Sequence, residues 1–230
     1  EDFSFRRCYS DFLYTTLSDC ANRRCRTTDK LNAERGKVTL KTVMHALRDH
    51  GTHDRTPAQG LTGACVCMHA GFGPVRANQT TGSLVSRLDA DLPLQFLTGT
   101  AAPCTSVFKP VWLDAGLPDI GPQPSGAFDE KTLFWQHERL HRATLQDYPA
   151  RIEMYHHERD ALEMEFIAGA MACQGAGMDE RGAHTAQCFV RAAQAEADWL
   201  ARVEAALPVG ENSLLYRQAW NSFNRKAALS

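Results

Sequence analysis

Two histidines four positions apart, in His137-Glu138-Arg139-Leu140-His141, are the sharpest chemical spacing in the sequence. On a helix, residues i and i+4 share a face, so both imidazoles could hold one Zn²⁺ while Glu138 activates a bound water. Glu158 or Glu163 on a following helix would supply a third ligand. Arg139 and Arg142 oppose this, because each sets a positive charge where another cation would have to bind. The competing expectation is a charged, solvated helix face held by i to i+4 pairs. Charge favours that expectation and no metal at this motif. The run His156-His157-Glu158-Arg159-Asp160 reads as solvated surface in the same way.

A second group is Cys65, Cys67 and His69. Alternation along a strand over Ala64 to His69 would place all three on one face, where thiolate and imidazole can bind a metal or pair as nucleophile and base. Small buried thiols are also ordinary core residues. His69 opens a Gly-rich loop, residues 71–82, and so becomes a candidate for a substrate pocket. Hydroxyl-rich turns form a third group: Asn78-Gln79-Thr80-Thr81-Gly82 and Thr98-Gly99-Thr100, with Cys104 and Thr105 close behind. Such turns can present donors to a carbonyl oxygen or substrate carboxylate, or satisfy only themselves. The pocket candidates are thus His69, Asn78, Thr80, Thr81, Thr98, Thr100 and Cys104.

These residues need a scaffold. Period-two apolar runs predict strands at Ala64–His69, Ser83–Leu88, Leu92–Thr98 and Thr105–Leu113, with breaks at Asp89–Asp91 and Gly99–Pro103. Short connections make an antiparallel meander. Before it, Asp2 to Lys30 alternates aromatic and polar residues and then turns basic, which reads as a strand and loop or as a solvated basic turn. Thr39 is a good N-cap for a helix carrying Leu40, Val43, Met44 and Leu47, closed by Arg48, His50 and Gly51, with His45 on its polar side. Thr52–Gly60 reads as a polar connection. After the strands, Asp114–Phe128 is a Gly- and Pro-rich loop. Helices then run from an Asp129 cap to about Gln146, from about Ala150 to Ala172, and from about Asp179 to Leu207. A short amphipathic helix with Leu215, Ala219, Trp220 and Phe223 ends the chain. The fold class is α+β, divided into a sheet-and-helix part over residues 1–113, a loop over 114–128 and a helical part over 129–230.

With 230 residues, 43% of them hydrophobic, the chain can bury a full core. A net charge of −2 argues against a nucleic acid or membrane surface as partner. No apolar run is long enough to span a bilayer. The eight cysteines show neither a dense disulfide framework nor a Cys-x-x-Cys pair. Reduced thiols in a cytoplasm are expected, and a zinc ribbon has no support.

The segments CMHAGFGPVRANQTTGSLVSRL and FLTGTAAPCTSVFKPVWL, flanked by FSFRRCYSDFLYTTLSDCANRRCRTTDKL and LFWQHERLHRATLQDYPARIEMYHHERDALE, resemble the secernin and cysteine dipeptidase family of N-terminal-nucleophile (Ntn) hydrolases. The resemblance reaches to about Glu165. It implies part of an αββα sandwich with a helical C-terminal extension. It also implies a cysteine-type dipeptidase or related amidohydrolase that needs no cofactor and acts on short peptides or amide-linked small molecules. In that family the nucleophile is an N-terminal cysteine, whereas this sequence begins Glu1-Asp2-Phe3. The resemblance therefore places no catalytic residue in this chain and makes the missing N-terminal half of the same protein its partner. A non-catalytic interaction protein is the alternative, and a homo-oligomer is a further expectation. Without a partner sheet, Val66, Met68, Leu84, Leu88, Leu94, Phe96 and Phe108 should include residues that face nothing.

Overall fold

The computed structural model describes residues 3–11, 19–51, 57, 65–73, 76–88, 92–208, 210 and 212–229. Its helices, in chain order, are α1 (Phe5–Tyr9), α2 (Cys20–Ala33), α3 (Leu40–Leu47), α4 (Leu133–Leu145), α5 (Tyr148–Ile152), α6 (His156–Ala172), α7 (Met178–Ala205) and α8 (Leu214–Lys226). Between α3 and α4 lie β1 (Leu84–Arg87), β2 (Leu94–Leu97) and β3 (Lys109–Trp112). The architecture is α+β, with one antiparallel sheet in the order β1-β2-β3 among the described residues.

Register is fixed by Val85 opposite Phe96 and Phe96 opposite Pro110. Pro110 lacks a backbone donor, and β3 tolerates it because an edge strand needs ladder bonds on one side only. Val85, Leu94, Phe96, Phe108 and Trp112 form one core with Met44 of α3 and Ala170 of α6. A second core joins α4, α6 and α7 through Leu140, Phe166, Cys188, Ala192, Trp199 and Val203. The third gathers Cys67, Ala70, Ala102 and Cys104 against Leu145, Tyr148, Tyr216 and Trp220. Each fully buried Leu or Phe contributes roughly 1.5–3 kcal/mol, so these clusters hold the irregular segments near the sheet in place.

Local signals account for much of this. Thr39 and Thr42 form a reciprocal capping box at α3, each hydroxyl accepting the other's backbone N–H at 3.2 Å. Thr132 caps α4 by accepting from Trp135 N at 3.2 Å, three residues beyond the expected Asp129. The loop after β3 has no regular element over 114–128, as its Gly and Pro content implies.

Four expectations are corrected. Residues 65–70 are not a strand: their backbone is tied to a helix end by Cys67 N donating to Asp49 O at 3.0 Å, and to Thr80 by bonds in both directions. Ala64 lies outside the described residues, as do the breaks at Asp89–Asp91 and most of Thr52–Gly60. The basic N-terminal stretch forms a helix, α2, because Ala21, Arg23, Arg24, Arg26 and Lys30 are good helix formers, and the β-branched Thr27 turns its hydroxyl back onto Arg23 O and Arg24 O. The helix expected over 150–172 is two, α5 and α6, separated by a turn in which Met154 N donates to Arg151 O. The uncovered sheet face is only partly present: Leu94, Phe96 and Phe108 are fully buried, whereas Leu84 and Leu88 are 57% and 81% exposed. Among the described residues, no helix is long and apolar enough to cross a membrane.

Candidate functional site

Four side chains from three irregular segments meet in the interior: His50 just past α3, Cys67 and His69 from the 65–69 segment, and Cys104 from the turn before β3. All four are buried. His69 is the hub. Its Nε2 lies 3.0 Å from His50 Nε2, 3.3 Å from Cys104 Sγ and 3.6 Å from Cys67 Sγ. On its other side, His69 Nδ1 is 3.0 Å from His141 Nε2. His141 Nδ1 meets Glu138 Oε2 at 3.1 Å, and Glu138 also accepts from Arg142 Nε at 2.8 Å and from Gln79 Nε2 at 3.2 Å. Tyr148 packs edge-on against both His50 and His69.

The local chain explains how the cluster is brought together. Cys67 and His69 both turn into the interior, although residues 65–70 bend at Val66 and Cys67 and form no strand. Cys65 does not join them; its thiol donates to the Cys67 carbonyl at 2.9 Å. Thr80 clamps the segment. It donates N–H to Met68 O, its hydroxyl accepts from Met68 N, and its carbonyl accepts from Ala102 N. Ala102 sits at φ 50°, a left-handed conformation that costs a non-glycine residue about 1–2 kcal/mol. The tight turn it makes is repaid by Thr105 N and Ser106 N donating to its carbonyl, and it aims Cys104 inward. Arg48 holds the same turn by donating to Pro103 O and Ser106 O, while Glu163 fixes Arg48 at 2.9 Å and accepts Phe108 N at 2.8 Å.

Protonation follows from these neighbours. Burial lowers the His69 imidazole to about 4, with His50 and His141 acting the same way and Cys104 opposing. Burial alone would raise the Cys104 thiol, but the Cys67 thiol donating to it and the adjoining His69 and His50 imidazoles hold it well below the usual cysteine range. Burial, with Cys104 adding to it, pushes Cys67 well above that range. Burial would also raise Glu138, yet His141 and Arg142 bring it down to about 2. In the tautomer that donates Nδ1–H to Glu138, His141 presents its Nε2 lone pair to His69. His69 then donates from Nδ1 and keeps its own Nε2 lone pair aimed at His50 and the two sulfurs. Such a centre can take a proton from a thiol or offer nitrogen and sulfur donors to a soft cation.

The remaining candidates are distributed differently. Thr98 and Thr100 are buried but bond to each other's carbonyls, to Ser83 N and to Ser106, so they are self-satisfied turn residues. Thr80 is a clamp. Asn78 and Thr81 are exposed. The solvated face expected at His137-Glu138-Arg139-Leu140-His141 is corrected: His137, Glu138 and His141 are fully buried, and only Arg139 reaches outward, to Glu204 at 3.2 Å. Nor do the two histidines converge. His137 Nε2 bonds Ser106 and Thr105 hydroxyls at 3.0 and 3.2 Å, and its Nδ1 lies 2.9 Å from Glu196. Glu158 is exposed and holds Arg202 and Trp199 Nε1, far from a ligand role. His157 and Glu158 are exposed as expected, but Arg159 is buried and donates to Cys104 O. Sequence reasoning missed His50, which it treated only as a helix terminus, and Tyr148, which carries no motif.

No family model, curated protein or solved structure matches this chain.

Proposed function

We propose that the chain supplies the scaffold and pocket of a cysteine-type dipeptidase or related amidohydrolase of the secernin-like Ntn kind, with the nucleophilic cysteine on a segment preceding Glu1. One observation carries this reading. The two segments that bear the resemblance, around His69 and around Cys104, are remote in sequence yet meet at one buried polar centre. Beside that centre opens a recess of about 430 Å³ lined by Arg48, His50, Cys104, Tyr148, Ile152, His156 and Arg159. Arg48 and Arg159, held by Glu163 and Asp160, and His156 can meet the carboxylate of a short peptide on the side away from Glu153, and Tyr148 and Ile152 suit a small apolar side chain. The preorganised Glu138–His141–His69 chain would set the electrostatics of a site where charge develops on a carbonyl oxygen.

The test is amide hydrolysis of dipeptides by the chain alone and by the chain joined to its upstream segment. Turnover is expected only from the joined protein, and Tyr148→Phe or Arg159→Ala there should raise KM. Dipeptide turnover by the chain alone, abolished by Cys104→Ala, would instead make Cys104 the nucleophile. An inactive joined protein would favour the non-catalytic interaction role.

A further inference from the structure

We propose that His50, Cys67, His69 and Cys104 form a closed, four-coordinate zinc site that pins together three segments lacking regular backbone structure. Such a site stands whether or not the protein is a hydrolase.

Zinc holds imidazole nitrogen at about 2.0–2.1 Å and thiolate sulfur at about 2.3 Å, so the edges of its tetrahedron are about 3.3 Å between nitrogens and about 3.6 Å between nitrogen and sulfur. The corresponding separations here are 3.0 Å for His50 Nε2 to His69 Nε2, and 3.3 and 3.6 Å from His69 Nε2 to the two sulfurs. All four donor atoms lie within 4.8 Å of one another. Two sulfurs and two imidazoles are a donor set that selects zinc over the harder cations.

Charge comes next. Two thiolates cancel a divalent cation, so the occupied centre is neutral and can stand complete burial. Orientation agrees as well. A ligating histidine ordinarily donates its second nitrogen to a carboxylate or its relay, and His69 Nδ1 faces His141, which faces Glu138. That chain keeps the Nε2 lone pair on the cluster. With four protein ligands there is no open position, so the metal would be structural rather than catalytic. It would join the end of α3, the 65–69 segment and the Ala102 turn, whose mutual backbone bonds are few: Cys67 N to Asp49 O, and the bridge through Thr80.

The experiment is elemental analysis of the full chain purified under reducing conditions without chelator and then incubated with zinc. About one zinc per chain is expected. Cys67→Ser and Cys104→Ser should each lose it, while Cys65→Ser and His137→Ala keep it. Because the serine variants could fail to fold, cobalt(II) is titrated into the unaltered, metal-stripped chain as a second measurement. A tetrahedral visible spectrum with thiolate-to-cobalt charge transfer, displaced by zinc, is expected. Less than about a tenth of an equivalent of zinc, retention of zinc by the Cys67→Ser/Cys104→Ser double variant, or a cobalt spectrum without charge transfer would each overturn the proposal.

Discussion

His69 and His137 are both fully buried imidazoles linked to a carboxylate, His137 directly and His69 through a second imidazole, yet their surroundings give them opposite capacities. His137 spends Nε2 on the hydroxyls of Ser106 and Thr105 and holds Nδ1 against Glu196, which is itself buried near Lys109. Lys109 in turn donates to Thr98 O and Val107 O at 2.8 Å, so this centre is a bracket between the strand and α7. His69 receives its carboxylate at second hand, through His141, and turns its remaining nitrogen toward two sulfurs and another imidazole. The lesson is that burial and a carboxylate partner do not define a reactive histidine. What the second nitrogen meets does.

The largest effect that separates the two centres is metal dependence. If zinc occupies the His69 cluster at about a thousand times its dissociation constant, it stabilises the fold by about 4 kcal/mol. Removing it with a strong chelator should lower the melting temperature by roughly 8–16 °C for a chain of this size. His137→Ala should show the same chelator response on top of its own loss, and Cys104→Ser should show none. A chelator shift absent from the unaltered chain would erase the distinction.

Next in size is His137→Ala itself. It strands two buried hydroxyls and a buried Glu196, and the cost should be about 2–4 kcal/mol in a urea titration. A cost below about 1 kcal/mol would mean that water replaces the imidazole and that the bracket is unimportant.

Glu138 sharpens the comparison through pH. Its folded-state value of about 2 lies below the ordinary 4.5, so its contribution to stability is fully present above about pH 4.5 and is lost as pH falls toward 2. Glu138→Gln should therefore be destabilised relative to the unaltered chain by roughly 2–3 kcal/mol near neutrality, with the gap closing below pH 3. The same variant should bind zinc about 10–100-fold more weakly, because the amide no longer fixes His141 and through it His69. A gap independent of pH would show that the carboxylate is not charged in the folded protein.

Three strands of the meander and the helices starting near 40, 133, 178 and 214 were legible because they rest on local signals: period two with Gly breaks, the Thr39 cap and apolar spacing of three and four. The candidate site was legible only in pieces. Cys67 and His69 stand out by spacing, and Cys104 by its turn, but nothing local announces His50, whose position past a helix end looks like any terminus. The charged helix face failed as an expectation for a related reason. Whether His137, Glu138 and His141 meet water depends on Gln79, Ser106 and Glu196, which lie tens of residues away and arrive only with tertiary packing. Hydroxyl-rich turns were ambiguous in the sequence because the same residues serve a substrate or the backbone. Thr80, Thr98 and Thr100 serve the backbone.

The smallest expected effect belongs to Glu158, the residue that would have completed a zinc site with His137 and His141. It is exposed, bonding Arg202 at 2.7 Å and Trp199 Nε1 at 2.8 Å. An ion pair in that setting gains little in water and loses part of the gain by ordering two long side chains, so Glu158→Gln should cost no more than about 1 kcal/mol and should cost less in high salt. The glutamine can still accept from Trp199, which keeps the loss at the lower end. Zinc content should not change, because no atom of Glu158 reaches either imidazole centre. If Glu158→Gln instead removed bound metal while Cys67→Ser retained it, the cation would belong to the helical histidines, and the contrast between His69 and His137 would have to be reversed.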